Sequence, residues 1–327
     1  MKAAYYDRQG PADEVLRVTD LPDPHLGPGE VRVRVYVSGL NPTDLKARTG
    51  FSSAMPFRRI IPHQDGAGVI DAVGDPQDAK RIGERVWVYE AQHGRPSGTA
   101  AEYVVVPSTQ AVPLPEPVSF DTGASLGIPA LTAHRCLFAD GSLSGSNVLV
   151  HGGAGVVGTA AILLAKWAGA SVVATVLNAE QAAIARAVGA DLVLDRRADS
   201  IPEAVAAHTG NKGVDRIVDV NVQANLDINL ACLAPGGIIS SYAMTNATDE
   251  LAVPLLKAMV RGCVLRFVYI YSVPAEAKRQ AVKDITSCLM SGAYTPHIGL
   301  KVGLDRIADA HLALESSSVV GKVLIEV

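Results

Sequence analysis

The run Val148-Leu149-Val150-His151-Gly152-Gly153-Ala154-Gly155-Val156-Val157-Gly158 is where residue types and spacing first point to chemistry. Gly153, Gly155 and Gly158 satisfy G-x-G-x-x-G between an apolar run and a stretch rich in Ala and Leu. A loop of this kind makes a tight turn, brings a backbone without Cβ close to a pyrophosphate, and packs a strand tightly on a helix. The phosphate charge then rests on unpaired N–H groups at the helix N-terminus. A glycine-rich turn of no chemical consequence is the plain alternative, and a methyltransferase holding an adenosyl cofactor would use a similar loop. A strand before the loop, a helix after it and a next strand at Ser171–Val176 favour a dinucleotide.

The end of that next strand bears on which dinucleotide. Enzymes that read NAD place Asp or Glu there to accept from the ribose hydroxyl. This chain has Thr175-Val176-Leu177-Asn178, and its first acid is Glu180. Without the acid nothing repels a 2′-phosphate, and Asn178 and Arg196 are candidates to hold one. NADPH (NADP+) is therefore expected over NAD, with Gly153, Ala154, Gly155, Val156, Val157, Gly158, Thr175, Asn178 and Arg196 as cofactor contacts.

The elements that must position these residues read as two domains. From Asn147 onward strand candidates (Asn147–His151, Ser171–Val176, Leu192–Asp195, Arg216–Val220, Gly237–Tyr242, Val264–Tyr269) alternate with helical ones such as Val157–Ala168 and Ala179–Ala187. That alternation predicts an α/β fold with a doubly wound parallel sheet. Before it, Val31–Val37 alternates at period two, and Gly66–Val73 and Arg85–Tyr89 are short strands between turn residues, which suggests a small barrel or sandwich. The expected division is a β-rich catalytic domain over 1–120, completed by 271–327, and a Rossmann domain over 121–270. About Asp121–Ala139 reads as a helix interrupted at Pro129. A helix over Ala275–Ser291 and a last strand over Lys322–Val327 are expected to return to the first domain. Phe267, Tyr269 and Tyr271 alternate at strand spacing, and an outer strand packing on its neighbours is a plainer reading than stacking on a cofactor.

Composition narrows the partners. With 48% hydrophobic and 19% charged residues, 327 residues bury a sizeable core. A net charge of −4, with basic residues clustered only as pairs, gives no support to nucleic-acid binding. Cys136, Cys232, Cys263 and Cys288 form no CxxC pair and read as reduced thiols. The N-terminus lacks an apolar core and the longest apolar stretch is broken at Lys166, so no membrane span is expected and a cytoplasmic protein is.

Short matches in one shared order extend over nearly the whole chain: Gly39-Leu40-Asn41-Pro42-Thr43-Asp44, Gly66–Ile70, Gly83–Val86, Ala101-Glu102-Tyr103, Leu131-Thr132-Ala133, the His151–Gly158 loop, Leu233–Gly237 and Gly321-Lys322-Val323. In these the chain resembles the medium-chain dehydrogenase/reductase superfamily, and within it the zeta-crystallin-like NADPH:quinone oxidoreductases. The resemblance implies a GroES-like catalytic domain split around the Rossmann domain, and a homodimer formed through an outer strand. Zinc-dependent relatives carry a catalytic Cys where this chain has Asn41 and a His-Glu pair where it has Gln64-Asp65, and they add a four-cysteine loop that is absent here. Thiolate and imidazole hold Zn²⁺ and a lone amide does not replace them, so no metal site is expected.

A chain without zinc must polarise a carbonyl through hydrogen bonds, and the easy acceptors are quinones and α,β-unsaturated carbonyls. By similarity Asn41 sits by nicotinamide and substrate and donates where negative charge develops, and Thr132 touches the nicotinamide. Lys46 stands where the family often has Tyr; proton donation, binding of an anionic group and a solvated surface role are all open to it. Tyr242 and Lys322 complete the expected cofactor contacts. His63, Tyr89 and His93 are pocket candidates by position, with a structural role the plainer reading for each. The family's lysine at the 2′-phosphate is Gln181 here, and its tyrosine after the third strand is Arg196. The expected activity is zinc-independent, NADPH-dependent reduction of a small quinone or enone. The alternatives are a zinc-type alcohol dehydrogenase, or a structural or regulatory protein that keeps the cofactor loop with little turnover.

Overall fold

Alternating apolar residues over Glu30–Leu40 produce an eleven-residue strand whose Val31, Val33 and Val35 point into one core. In the computed structural model, which describes residues 1–51 and 53–327, this strand is the spine of the first of two compact units. That unit comprises Met1–Ile128 and Ile298–Val327; the second is Pro129–His297.

The spine strand pairs antiparallel with Asp65–Val73 along most of its length. On its other side Tyr103–Pro107 pairs with its first half and Lys322–Glu326 with its last four residues. Register shifts at Arg32/Val33 and Val35/Val37 mark bulges that bend the strand between these partners. The resulting seven-stranded sheet runs on through Arg85–Val88 to Ala111–Pro113 at one edge and through Ile298–Gly303 at the other. A second apolar cluster, including Tyr6, Leu40, Leu45, Ile61, Ile307 and Val323, backs the site end of the spine strand.

The second unit is a six-stranded parallel sheet. Across the sheet the strands run Leu192–Asp195, Ser171–Val176, Asn147–His151, Val214–Asp219, Leu233–Ser241 and Val264–Phe267. Counted along the chain this is the doubly wound order 3-2-1-4-5-6, with its switch point between Asn147–His151 and Val214–Asp219. Leu149, Val173, Ile217 and Ile239 from four adjacent strands are buried together in one core.

Three local expectations change. Asp121–Ala139 is two helices, Phe120–Gly123 and Gly127–Phe138, and Pro129 lies in the first turn of the second, where its missing N–H costs nothing. The aromatic strand stops at Phe267. Tyr271 lies in a 3₁₀ turn, Ile270–Ser272, and packs edge-on against Tyr269 at 5.1 Å. The Ala275–Met290 helix belongs to the second unit, tied there by a 2.8 Å contact between Asp284 and His134, rather than returning with the tail. The four cysteines are unpaired. Among the described residues no helix is long and apolar enough to cross a membrane.

Candidate active site

In the second unit the glycine loop joins the Asn147–His151 strand to the helix Val156–Trp167, with Gly155 as N-cap. A Cβ on Gly158 would lie 2.2 Å from the Gly152 carbonyl oxygen, and one on Gly153 would lie 2.7 Å from the Ala174 Cβ, so both glycines are needed for helix and strand to close on the loop. A Cβ on Gly155 would meet only the Gly152 oxygen at 3.3 Å. Gly155 is exposed and Ala154 buried, with Val156 and Val157 half-buried. The first helical amides have no acceptor inside their own helix. The loop thus offers a bare glycine and unpaired N–H groups at one spot, which fits a pyrophosphate.

Beneath the loop lies a buried network that the sequence reading missed. Asp219 accepts from the Asn221 amide (2.7 Å), Asn225 Nδ2 (2.9 Å) and Asn229 Nδ2 (2.6 Å). With its amide nitrogen so used, Asn229 presents Oδ1 to His151 Nε2 at 2.8 Å. The histidine therefore donates through Nε2 and accepts through Nδ1 from the Thr175 hydroxyl at 3.0 Å. Burial lowers the His151 pKa and keeps the ring neutral. Thr175 was expected to touch the cofactor. Its side chain is buried on His151 instead, and its carbonyl accepts from the Gly153 amide at 2.9 Å, so it shapes the loop from below. Separations of 24 to 78 residues hide this network from a local reading.

Asn178 and Arg196 are exposed at the carboxyl ends of their strands. Asn178 caps the helix Ala179–Ala187 by accepting from the Gln181 amide, and Gln181 Oε1 accepts from the Leu177 amide in return. The Asn178 oxygen is thereby committed, leaving its amide hydrogens for a ligand. Tyr242 is half-buried just after the Leu233–Ser241 strand, its phenol pKa raised by burial, and Thr132 is buried in the Gly127–Phe138 helix.

In the first unit Asn41 caps the helix Pro42–Thr49 at the end of the spine strand. Asn41 Nδ2 donates to Asp65 Oδ2 at 2.7 Å, and Lys322 Nζ donates to Asn41 Oδ1 at 2.8 Å and to the same Asp65 oxygen at 3.1 Å. Asp65 Oδ1 accepts from the Ile128 amide at 2.8 Å. Lys322 and Asp65 are wholly buried and Asn41 nearly so. Burial raises the Asp65 pKa, and Lys322 and the donors around it oppose the rise. Lys322, expected at the cofactor, thus lies inside the first unit, committed to Asn41 and Asp65.

Asp44 completes this group. Its Oδ2 accepts from the Asn41 amide at 2.7 Å while Oδ1 makes no hydrogen bond of normal geometry among the described residues. Burial, with Asp65 adding, pushes its carboxyl up to about 8 against the opposing pull of the Asn41 and Gln64 amides and Lys322. Both aspartates fall within the matched stretches, Asp44 closing Gly39–Asp44 and Asp65 in the Gln64-Asp65 pair, but their bonds to Asn41 give them a site role that the motifs do not show. Lys46 is half-buried on the same helix, its ammonium 4.4 Å from the Phe51 ring centroid.

The remaining candidates turn away. His63 has φ 80° and bonds Ser38 Oγ (2.8 Å) and His311 Nε2 (3.0 Å), and burial lowers its pKa to about 3. His311 in turn accepts from Arg48 Nε at 3.3 Å. Gln64 is bonded to Gln92, Tyr89 packs on Trp87, and His93 is exposed. Among the described residues no three His, Cys, Asp or Glu side chains converge as a metal ion requires. Two carboxamides and a carboxylate that an ammonium already pairs do not fit Zn²⁺.

A doubly wound sheet with its phosphate-type loop in one unit, and a β-rich fold with a buried polar cluster in the other, define a dinucleotide-dependent oxidoreductase of two-unit build. Residues 27–116 match the alcohol dehydrogenase GroES-like domain and residues 156–287 the zinc-binding dehydrogenase family. Human quinone oxidoreductase is 30% identical over 315 residues, which cover 95% of this chain and 94% of that protein. A crystal structure of an NAD-dependent alcohol dehydrogenase superposes with a TM-score of 0.88 at 30% identity over the full length of both chains. The quinone oxidoreductase of Thermus thermophilus, solved also in complex with NADPH, superposes with a TM-score of 0.82 at 27% identity, again over both full chains. The chain belongs to the medium-chain dehydrogenase/reductase superfamily, among its quinone oxidoreductases.

Proposed function

We propose that this chain is a zinc-independent reductase that uses NADPH to reduce a quinone or an α,β-unsaturated carbonyl whose oxygen is hydrogen-bonded by Asn41. The observation that carries the reading is the state of the Asn41 amide. One Nδ2 hydrogen goes to Asp65 at 2.7 Å, and among the described residues the other has only the Gly39 carbonyl at 3.5 Å, too long for a strong bond. A nearly dry amide with a hydrogen to spare is a donor for a developing oxyanion. Bound NADPH supplies the hydride.

The glycine cradle suits the pyrophosphate of either dinucleotide, and the lack of an acid at Thr175–Asn178 with the exposed Asn178 and Arg196 supports NADPH over NADH. The Thermus relative's NADPH complex agrees, while the relative named for NAD makes the preference a matter for assay. Thr132 and Tyr242 are read as lining the nicotinamide side, and Lys46 as a residue near the acceptor. Unpaired cysteines support a cytoplasmic setting. A homodimer is supported by the edge position of Val264–Phe267 and by the exposed Leu255, Leu256, Met259 and Val260 on the helix before it.

The test is NADPH oxidation followed by absorbance with a simple quinone and a small enone, beside NADH, with zinc measured on the same sample. Zinc-free, NADPH-preferring turnover is expected, and Asn41→Ala should lower kcat by about 10² while NADPH still binds. NADPH binding without turnover on any acceptor would instead favour a protein that reuses the fold. Stoichiometric zinc would revive alcohol dehydrogenase chemistry.

A further inference from the structure

We propose that Lys322 is a positioning residue for the reduction: its ammonium, braced by Asp65, locks and polarises the Asn41 carboxamide so that one amide hydrogen is presented to the acceptor oxygen. The inference rests on the role of Asn41 proposed above. Lysine has only donors and an ionised carboxylate only acceptors, so the 2.8 Å contact with Lys322 and the 2.7 Å contact with Asp65 allow a single orientation of the amide. A flipped amide would set Nδ2 against the ammonium and Oδ1 against the carboxylate.

The fold makes room for this pair at two glycines. A Cβ on Gly39 would lie 2.9 Å from Lys322 Cε, besides meeting the Ala124 carbonyl oxygen at 2.1 Å, and one on Gly127 would lie 1.9 Å from Asp65 Oδ1. A wholly buried lysine and aspartate are costly to desolvate and are a weak source of stability compared with apolar residues of the same size. Their persistence at the back of an otherwise plain amide suits a polar task. An ammonium on Oδ1 draws electron density from the amide nitrogen and strengthens its N–H as a donor, because hydrogen bonds in series polarise one another.

Lys322→Met removes the cation, and the double variant Lys322→Met with Asp65→Asn also removes the carboxylate that the single change would leave unpaired. It keeps the question answerable if the single variant fails to fold. With NADPH binding and thermal melting as controls, kcat should fall about tenfold for a small enone and only a few-fold for a quinone, since the less electron-poor acceptor needs more help at its oxygen. KM for NADPH should stay within about twofold, because the lysine makes no cofactor contact in this reading. A merely structural lysine would slow both acceptors alike, and that result, or unchanged kcat in a folded variant, overturns the inference. Asn41→Ala run in parallel separates the two failures. Loss of activity in Asn41→Ala with none in the lysine variants sinks this inference alone. Full activity in Asn41→Ala, or no turnover by the unaltered protein, sinks both readings.

Discussion

Asp44 shows what burial does to one carboxyl. Its folded pKa of about 8 stands well above the roughly 3.9 of an unfolded chain, so between those values the folded state binds the extra proton. Stability from this group is therefore complete below pH 4 and is lost as pH rises toward 8, by about 1.4 kcal/mol per pH unit at most. Asp44→Asn keeps the acceptor for the Asn41 amide and removes the titration. Its melting temperature should gain on the unaltered protein steadily from pH 5 to 8 and level off above; a constant difference across that range would exclude the shifted pKa. His63 and His311 run the other way, since burial keeps both neutral, so the comparison must be made on variant against parent at each pH.

At the scale of elements, the glycine loop separates packing from binding. Gly158→Ala drives a Cβ into the Gly152 carbonyl and should cost about 1–3 kcal/mol of stability together with NADPH affinity. Gly155→Ala meets only one oxygen, at 3.3 Å, so it should hold its melting temperature yet weaken NADPH binding at least about tenfold by filling the cradle. Titration by cofactor fluorescence beside a thermal melt distinguishes the two. Equal effects in both variants would mean that the loop's glycines serve packing alone. These glycines were legible in the chain because their spacing is local. The Asp219–Asn229–His151–Thr175 network under them was not, because four separate elements contribute to it.

For the whole molecule the unusual feature is an inverted helix. In Leu255–Arg261 the residues Leu255, Leu256, Met259 and Val260 are each more than 70% exposed, beside an edge strand that also exposes Phe267. Such an edge and patch invite a second copy. Sedimentation should give the mass of a dimer, and Met259→Glu with Val260→Glu should yield a folded monomer. A monomer before any substitution would refute the homodimer reading.

Fold class and the cofactor loop follow from periodicity and spacing, which act over a few residues: several strands of the parallel sheet, among them Asn147–His151 and Ser171–Val176, could be read directly from the chain. Asn41 stood out by resemblance. The companions of Asn41 came only with tertiary structure, since Asp65 lies 24 residues away and Lys322 281 residues away. Linear spacing carries no signal for a lysine that reaches its partner through the last strand of the sheet. The same holds for Thr175, whose hydroxyl faces a histidine rather than a ligand because the neighbouring strand buries it.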